Sequence, residues 1–353
     1  MSEKDWFLPQ EIIFKIFLYL PGSSLIKFQI LSKSFRSMIR SCYFIESQLN
    51  HASSSTKPPI VLLFYSNYIS LVETKTWIVT NNLSLNPSYK ESRFGGSCNG
   101  LICLYDGSSR VVSVINPTTR EYLTPPRPSN LLQYGLFSYT IGFVSSSKEY
   151  KLVYLCMNEG EPHLEVCCIG DKSWRQVAIG NCPVSRFNGE LLPCGILSHG
   201  ALFWLGFGSY NKVWLIRFDL KEEKVTYINL NIEPFERKSN DFMLGELGGE
   251  VCLTIMPDFV FPKEKEMHLL IFDGKSDFSQ KMKLMVPRHS YMMPLFISGQ
   301  KILLQDQCFD AGLYYYDLSN CSCEKVFVAD YDFCYSAHPH IDSLVSFGGA
   351  RAR

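Results

Sequence analysis

The 353-residue chain has no net charge, because 34 lysines and arginines balance 34 aspartates and glutamates. A nucleic-acid-binding domain carries an excess of basic residues on one face. A segment that binds a membrane surface carries a run of basic residues. Neither feature occurs in this sequence, so the composition predicts no nucleic-acid partner and no membrane partner.

Long apolar runs are also lacking. The longest, near Ile12, is interrupted by Lys15, and no stretch reaches the ~20 residues that span a bilayer. The first residues include Glu3, Asp5 and Pro9, which differ from the basic and apolar start of a secretory signal. We therefore expect a cytoplasmic and/or nuclear protein.

Motifs that carry catalysis are absent. The patterns GxSxG, HExxH, GxGxxG and GxxxxGK[ST] do not occur. His338 and His340 lie near Cys334, and we interpret all three as surface residues rather than metal ligands. The sequence predicts no catalytic residue, no metal and no cofactor. An enzyme whose carboxylates converge only in the folded structure stays open as an alternative.

The 13 cysteines are scattered, and neither the CxC at Cys321 and Cys323 nor the adjacent pair Cys167 and Cys168 has zinc-site spacing. Without a secretory signal, free and mostly buried thiols in a reducing compartment are expected.

What the sequence does contain begins with a helix predicted over residues 9–20. Pro9 suits a first helical turn, and Pro21 ends the helix. Ile12, Ile16 and Tyr19 share one face at 100° per residue, yet apolar residues also occupy the opposite face. Such a helix must be covered on more than one side, which some forty residues cannot do alone. Half of its core is therefore expected to come from another protein. The alternative is an ordinary helix pair packed on its own domain.

A second helix is predicted after a capping Ser23 or Ser24. Leu25, Phe28 and Leu31 follow at helical spacing, and a further turn begins near Phe35. Together the two helices resemble an F-box, the helical motif that docks on Skp1-type adaptors. The matching residues are Leu8, Pro9, Glu11, Ile12, Ile16, Leu20, Pro21, Ser24, Leu25, Lys27, Phe28, Lys33, Phe35, Arg36 and Phe44.

Two positions depart from the usual F-box pattern: Phe35 replaces a tryptophan, and Ile30-Leu31-Ser32 replaces a Cys-Val-Cys-type run. The resemblance implies an adaptor-binding role for a set of mostly apolar residues, namely Leu8, Pro9, Ile12, Ile13, Ile16, Phe17, Leu20, Pro21, Leu25, Phe28, Leu31, Lys33 and Phe35.

The remainder of the chain reads as all-β. Residues 1–50 form the small all-α F-box module, residues 51–59 a Ser- and Pro-rich linker, and residues 60–349 a large β domain. Six apolar runs, each followed by a polar turn, recur at spacings of 43–55 residues. Six repeats of about four strands predict a six-bladed β-propeller. The first repeat lacks its opening strand, and we predict that residues 344–347 supply it.

The β domain resembles the F-box-associated domain of plant F-box proteins. The matching segments are SCNGLICL (97–104), INPTTREYLTPP (115–126), GFVSSSKEYKLV (142–153), SWRQV (173–177), HGALFWL (199–205), FDLKEEK (218–224) and LGELGGEVCL (244–253). Glycine pairs hint at kelch repeats, but the full kelch pattern is missing, so this description ranks second. S-locus F-box receptors belong to the same family.

The resemblance implies a non-catalytic substrate receptor of a Skp1–cullin–F-box (SCF) ubiquitin ligase. Its partners would be a Skp1-like adaptor, a cullin bound through that adaptor, and an unknown target protein. The alternative is a propeller that acts as an interaction or glycan-binding module outside any ligase.

Strand order places the long connections together at one end of a propeller, where function usually concentrates. Arginine and aromatic residues on these connections are of the types enriched in interfaces. We predict target binding by Arg127, Arg186, Phe235, Arg237, Phe259, Arg288, His289 and Tyr291.

Overall fold

The structure is a computed structural model that describes residues 8–54, 60–65, 68–85, 91–129, 136–158, 161–187, 194–230, 232, 242–256, 264–272, 278–287, 291–307, 312–327 and 336–347.

Four helices form the helical module, residues 8–54: α1 (Gln10–Leu18), α2 (Gly22–Leu31), α3 (Lys33–Ile39) and α4 (Cys42–Ser54). The first predicted helix is α1, which begins directly after Pro9. The second begins differently from the prediction, because Pro21 occupies the N-cap position and Ser23 and Ser24 lie inside the first turn. The Gly22 N–H instead donates to Asp342 Oδ2 at 2.7 Å.

Six antiparallel sheets follow, the blades of a propeller. The strands of the first three blades are β1 (Ile60–Phe64), β2 (Tyr68–Glu73) and β3 (Ile78–Ser84); β4 (Ser92–Cys98), β5 (Leu101–Asp106), β6 (Val112–Asn116) and β7 (Glu121–Leu123); and β8 (Phe137–Val144), β9 (Glu149–Asn158), β10 (Glu161–Cys168) and β11 (Arg175–Val177).

The strands of blade 4 are β12 (Arg186–Phe187), β13 (Ile196–Ser198), β14 (Ala201–Phe207), β15 (Val213–Asp219) and β16 (Lys224–Leu230). Blades 5 and 6 contain β17 (Phe242–Leu247), β18 (Glu250–Ile255), β19 (Glu264–Phe272) and β20 (Phe278–Pro287); and β21 (Met292–Ser298), β22 (Lys301–Asp306), β23 (Leu313–Asp317) and β24 (Ser322–Phe327). A last strand, β25 (Ser336–His340), returns to blade 1.

The six-bladed fold predicted from the repeats is confirmed. The innermost strands contact one another around the ring, with β25 touching both β21 and β4. Apolar residues pack between neighbouring blades, so the second strand of a blade is covered on both faces: every residue of β5 and β14 is buried. The outermost strand of blade 1, β3, is mostly exposed.

The first blade does lack an N-terminal opening strand, but the predicted replacement was wrong. The strand that pairs with β1 is β25, not residues 344–347, which form no strand. Pro339 fits β25 because this strand is the inner edge of its sheet, where a missing N–H leaves no ladder bond unmade.

The closing strand also corrects the view of its histidines as surface residues. His340 is buried and lies 3.4 Å from Ser97 Oγ through Nδ1. The His338 ring stacks on Phe94 at a centroid distance of 3.6 Å. Both side chains therefore pack between blades 1 and 2. Cys334 lies outside the described residues.

We predict that acid weakens this closure. Burial lowers the pKa of His340 to about 4, below the ~6.5 of an unfolded histidine. The unfolded chain then binds more protons, so this contribution to stability is complete above pH 6.5 and is lost as the pH falls towards 4. Between pH 7 and pH 5 the loss is about 2 kcal/mol. Urea unfolding at pH 7 and at pH 5 should show that His340→Asn loses less unfolding free energy between the two pH values than the wild type does. An equal loss in both proteins would contradict the role of His340.

The helical module sits at one end of the propeller. Hairpin turns between first and second strands and between third and fourth strands meet at this end. Lys148, in the turn between β8 and β9, pairs with Glu46 of α4 at 2.9 Å. We call this the module end. The connections between second and third strands and between successive blades lie at the opposite end, which we call the far end.

Candidate functional site

An exposed apolar row follows one face of α1. Ile12, Ile16 and Tyr19 are 42, 45 and 65% exposed, and Leu8, two residues before α1, is 56% exposed. Aliphatic side chains normally lie inside a protein domain, and a contiguous exposed group marks a protein interface. Three further predicted adaptor residues, Pro9, Pro21 and Lys33, are exposed as well.

A second exposed pair ends α2. Ile30 is 84% and Leu31 is 71% exposed, although both belong to a helix of mixed apolar and polar residues. These are the residues that replace the more usual Cys-Val-Cys-type run. The substitution leaves two aliphatic side chains available for contact with a partner.

The other predicted adaptor residues lie beneath this surface. Phe17 and Leu25 are buried in the core of the module, and they present no surface. Phe35 meets Phe17 edge-on with ring centroids 5.1 Å apart, and Phe28 lies at the same distance from Phe17. Ile13 and Leu20 are partly buried around them. These residues shape the helices that carry the exposed row.

Part of the cover expected from another protein comes from this chain. Residues 341–347, the anchor segment, run between the module and the propeller. Leu344 is buried in the module core against Phe17, Leu25, Ile39 and Phe44. Val345, one residue later, packs in the core between blades 2 and 3. Adjacent side chains of one segment thus enter both cores.

Polar groups fix the same segment on the module side. Asp342 accepts the Gly22 N–H at the N-terminus of α2 and a hydrogen bond from the Thr118 hydroxyl. Burial raises the pKa of Asp342, against the lowering effect of these two donors. The Gln48 amide of α4 donates to the Asp342 carbonyl at 3.2 Å. A carboxylate at a helix N-terminus stabilises the helix, so this contact ties the module to blade 2.

Asn116 fixes the segment on the propeller side. Its buried Nδ2 donates to the carbonyls of Ser343 at 3.1 Å and Val345 at 2.7 Å. Its Oδ1 accepts from the Thr118 N–H at 2.8 Å. An amide with donors and acceptor satisfied in this way holds the backbone in one geometry.

The predicted target residues lie on connections of the far end, but few can be placed. Arg127 is exposed in the connection after β7. Arg186 is exposed in β12, with its guanidinium 5.6 Å from the Phe207 ring centroid. Tyr291 is partly buried against the core between blades 5 and 6, and its N–H donates to Asp306. Phe235, Arg237, Phe259, Arg288 and His289 lie outside the described residues.

One exposed aromatic residue at the far end was missed. Tyr210, between β14 and β15, is 95% exposed with φ = 57°. The turn is short, and the predicted target residues were confined to long connections. Gly206 and Gly208, just before Tyr210, were the sequence signal that could have indicated this turn.

Chemistry-bearing clusters are not found in the described part of the chain: no three His, Cys, Asp or Glu side chains there come together as a metal site. The eleven described cysteines are free thiols. Burial raises the pKa of Cys98 and Cys252 to about 12, so these thiols stay neutral at pH 7. None of the described helices is long and apolar enough to cross a membrane.

A small helical module with an exposed apolar row, fixed to one end of a six-bladed propeller, defines a protein of two structural parts. Family profiles match both parts: the F-box domain over residues 7–47 and the F-box associated beta propeller domain over residues 52–332. The chain belongs to the F-box proteins that carry this propeller domain.

Individual relatives agree. The F-box protein CPR1 of Arabidopsis thaliana is 26% identical over 371 aligned residues, which cover 96% of this chain and 88% of CPR1. A second F-box protein of the same plant is 27% identical over 280 residues, covering 70% of this chain and 68% of its own. Among solved structures, TolB from Acinetobacter baumannii aligns with a TM-score of 0.50 at 9% identity, covering 84% of this chain and 72% of TolB. The likeness to TolB concerns the fold alone.

Proposed function

We propose that this chain is the substrate receptor of an SCF ubiquitin ligase, binding a Skp1-type adaptor through the helical module and a target protein through the far end of the propeller. The observation that carries the proposal is the exposed apolar row of Ile12, Ile16 and Tyr19 on an F-box helix. A partner that covers this row removes aliphatic surface from water, at about 25 cal/mol per Å².

The arrangement of the two ends supports the proposal. The anchor segment covers the module on the side that faces the propeller, while the row on α1 remains exposed. Adaptor and target would therefore bind at opposite ends without competing. Leu344 packs in the module core and Val345 packs in the propeller core, and together they hold the module in one orientation relative to the far end.

Such a receptor works by proximity and forms no covalent intermediate. A target held at the far end shares one assembly with the charged ubiquitin-conjugating enzyme that the cullin recruits. Tethering raises the effective concentration of the target lysines into the millimolar range, and orientation lowers the entropic cost of transfer. The fixed angle between module and propeller would decide which target surface faces the enzyme.

A comparison in plant cells tests the proposal. The full chain and an Ile12→Asp/Ile16→Asp variant are each fused to a biotin ligase, and the proteasome is blocked during labelling. Target proteins should be labelled by both, because the far end is unchanged, but should carry ubiquitin chains and turn over faster only with the wild type. If no labelled protein changes its turnover, the chain acts as an interaction module outside a ligase and the proposal fails.

A further inference from the structure

A cavity of about 500 Å³ opens at the far end, beside blades 3 and 4. Its lining comes from the first residues of β10, the last residues of β11 and the connection that follows β11 as far as Val184. Because β10 begins and β11 ends at the far end, the mouth faces away from the helical module. Among the predicted target residues that the structure describes, Arg127, Arg186 and Tyr291, none lines this cavity.

The lining combines apolar side chains with polar ones, among them His163, Gln176 and Asn181, and it contains one carboxylate. Val177 and Val184 are buried in the walls, and Ile179 is partly buried beside them. Glu161 is exposed at the rim, and the described lining contains no lysine or arginine. Lysine and arginine side chains join an apolar stem to a cationic head, and a carboxylate pairs strongly with such a head. The cavity therefore matches a lysine or arginine side chain.

The turn that carries Tyr210 packs against the connection that lines this cavity, since the Ser185 N–H donates to the Phe207 carbonyl at 2.9 Å. This turn, the 3₁₀ segment Ser209–Asn211, is closed by the Gly208 N–H, which donates to the Lys212 carbonyl at 2.9 Å. A Cβ on Gly208 would collide with the Pro183 carbonyl oxygen, so the turn packs closely against the segment that forms the cavity wall.

Tyr210 has a left-handed backbone conformation, as eight other described non-glycine residues do, among them Trp77 and His199. What distinguishes Tyr210 is its ring, which is almost fully exposed. Tyrosine offers a large, rigid contact surface and is among the residues that dominate binding energy in interfaces.

We propose that the cavity and Tyr210 together bind an extended segment of the target protein that contains one lysine or arginine. The basic side chain enters the cavity towards Glu161, and a neighbouring apolar residue packs on the Tyr210 ring. Lys212, exposed beyond the tyrosine, disfavours a second cation there, so a single basic position is expected and not a basic run. That the segment belongs to a ligase target rests on the proposed function.

The test selects a phage-displayed library of random 12-residue peptides on the full-length protein in complex with a Skp1-type adaptor. Enriched peptides are then titrated by fluorescence anisotropy. They should share one lysine or arginine next to an apolar residue, and their affinity should fall at least tenfold in Glu161→Gln and in Tyr210→Asn. Asparagine tolerates positive φ, so this substitution removes the ring and keeps the turn.

The matched controls are Glu324→Gln and Ile78→Ala, exposed residues of outer strands, which should bind the peptides like the wild type. Enriched peptides that are acidic or uncharged, or binding unchanged in Glu161→Gln, would overturn the proposal. Adaptor capture by the same preparations separates the two ideas. If the adaptor is captured normally but the expected peptides are not selected, the peptide site fails and the ligase role is unaffected. The selection is repeated on the full-length protein without an adaptor. If the expected peptides are selected there while adaptor capture fails, the ligase role fails and the peptide site is retained.

Discussion

An Ile12→Asp/Ile16→Asp variant is expected to lose capture of a Skp1-type adaptor, with at least a hundredfold weaker binding in isothermal titration calorimetry. Each isoleucine buried at an interface contributes about 1.5–3 kcal/mol, and a buried unpaired carboxylate adds a further cost. Every 1.4 kcal/mol is about tenfold in affinity. Both side chains are exposed in the free chain, so the fold should survive the substitutions.

The matched control is Ile78→Asp/Val79→Asp. These residues are also exposed aliphatics, but they lie on β3, the outermost strand of blade 1. The control should bind the adaptor like the wild type and melt at nearly the same temperature. Wild-type affinity in the α1 variant would refute docking through α1.

Replacing Leu344 with alanine is expected to destabilise the helical module while the propeller stays folded. Leu344 is buried in the module core, and truncating a buried leucine to alanine costs about 2–5 kcal/mol. Amide hydrogen exchange should therefore become faster in α1, α2 and α4, with β14 and β22 unchanged. Adaptor binding should restore part of the lost protection, because a partner that binds only the folded module stabilises it.

Ser346→Ala is the control for this experiment. Ser346 belongs to the same segment, but it is more exposed and its hydroxyl bonds to Glu121 on blade 2. It should leave the exchange of the helices unchanged. Faster exchange spread evenly over the blades in Leu344→Ala would show that the segment serves the propeller and not the module.

Much of the architecture could be read from local signals. Pro9 and Pro21 bracket α1 because proline fixes φ and lacks an N–H, a property that needs no long-range information. The blades were visible because each repeats an apolar run and a polar turn, as at Asn116 and Asp219. The exposure of Ile12 and Ile16 followed from the excess of apolar residues around a short helix.

The anchor segment could not be predicted because its partners are distant in sequence. Asp342 caps a helix 320 residues away, whereas sequence rules look for a cap among neighbours such as Ser23. Leu344 and Val345 belong to an apolar run that has the composition of a strand. The strand that closes the ring, β25, contains Pro339 and two histidines, which are poor strand signals. Which segment pairs with β1 is decided by contacts between residues far apart in the chain, and a single sequence does not identify those contacts.

The prediction of target residues depended partly on topology and partly on a choice among connections. The side of the propeller followed from strand parity, since consecutive antiparallel strands must turn at alternate ends. The residues within that side were chosen from long connections. Tyr210 lies in a short turn whose exposure depends on how Gly208 packs against Pro183.

In the proposed receptor the adaptor binds at the α1 surface and leaves the far end free. Hydrogen exchange of the full chain, alone and saturated with a Skp1-type adaptor, tests it most directly. We expect new protection in α1 and α2, none in the 178–184 segment, and none at the turn that carries Tyr210. Protection at that turn, or no change in α1, would contradict it.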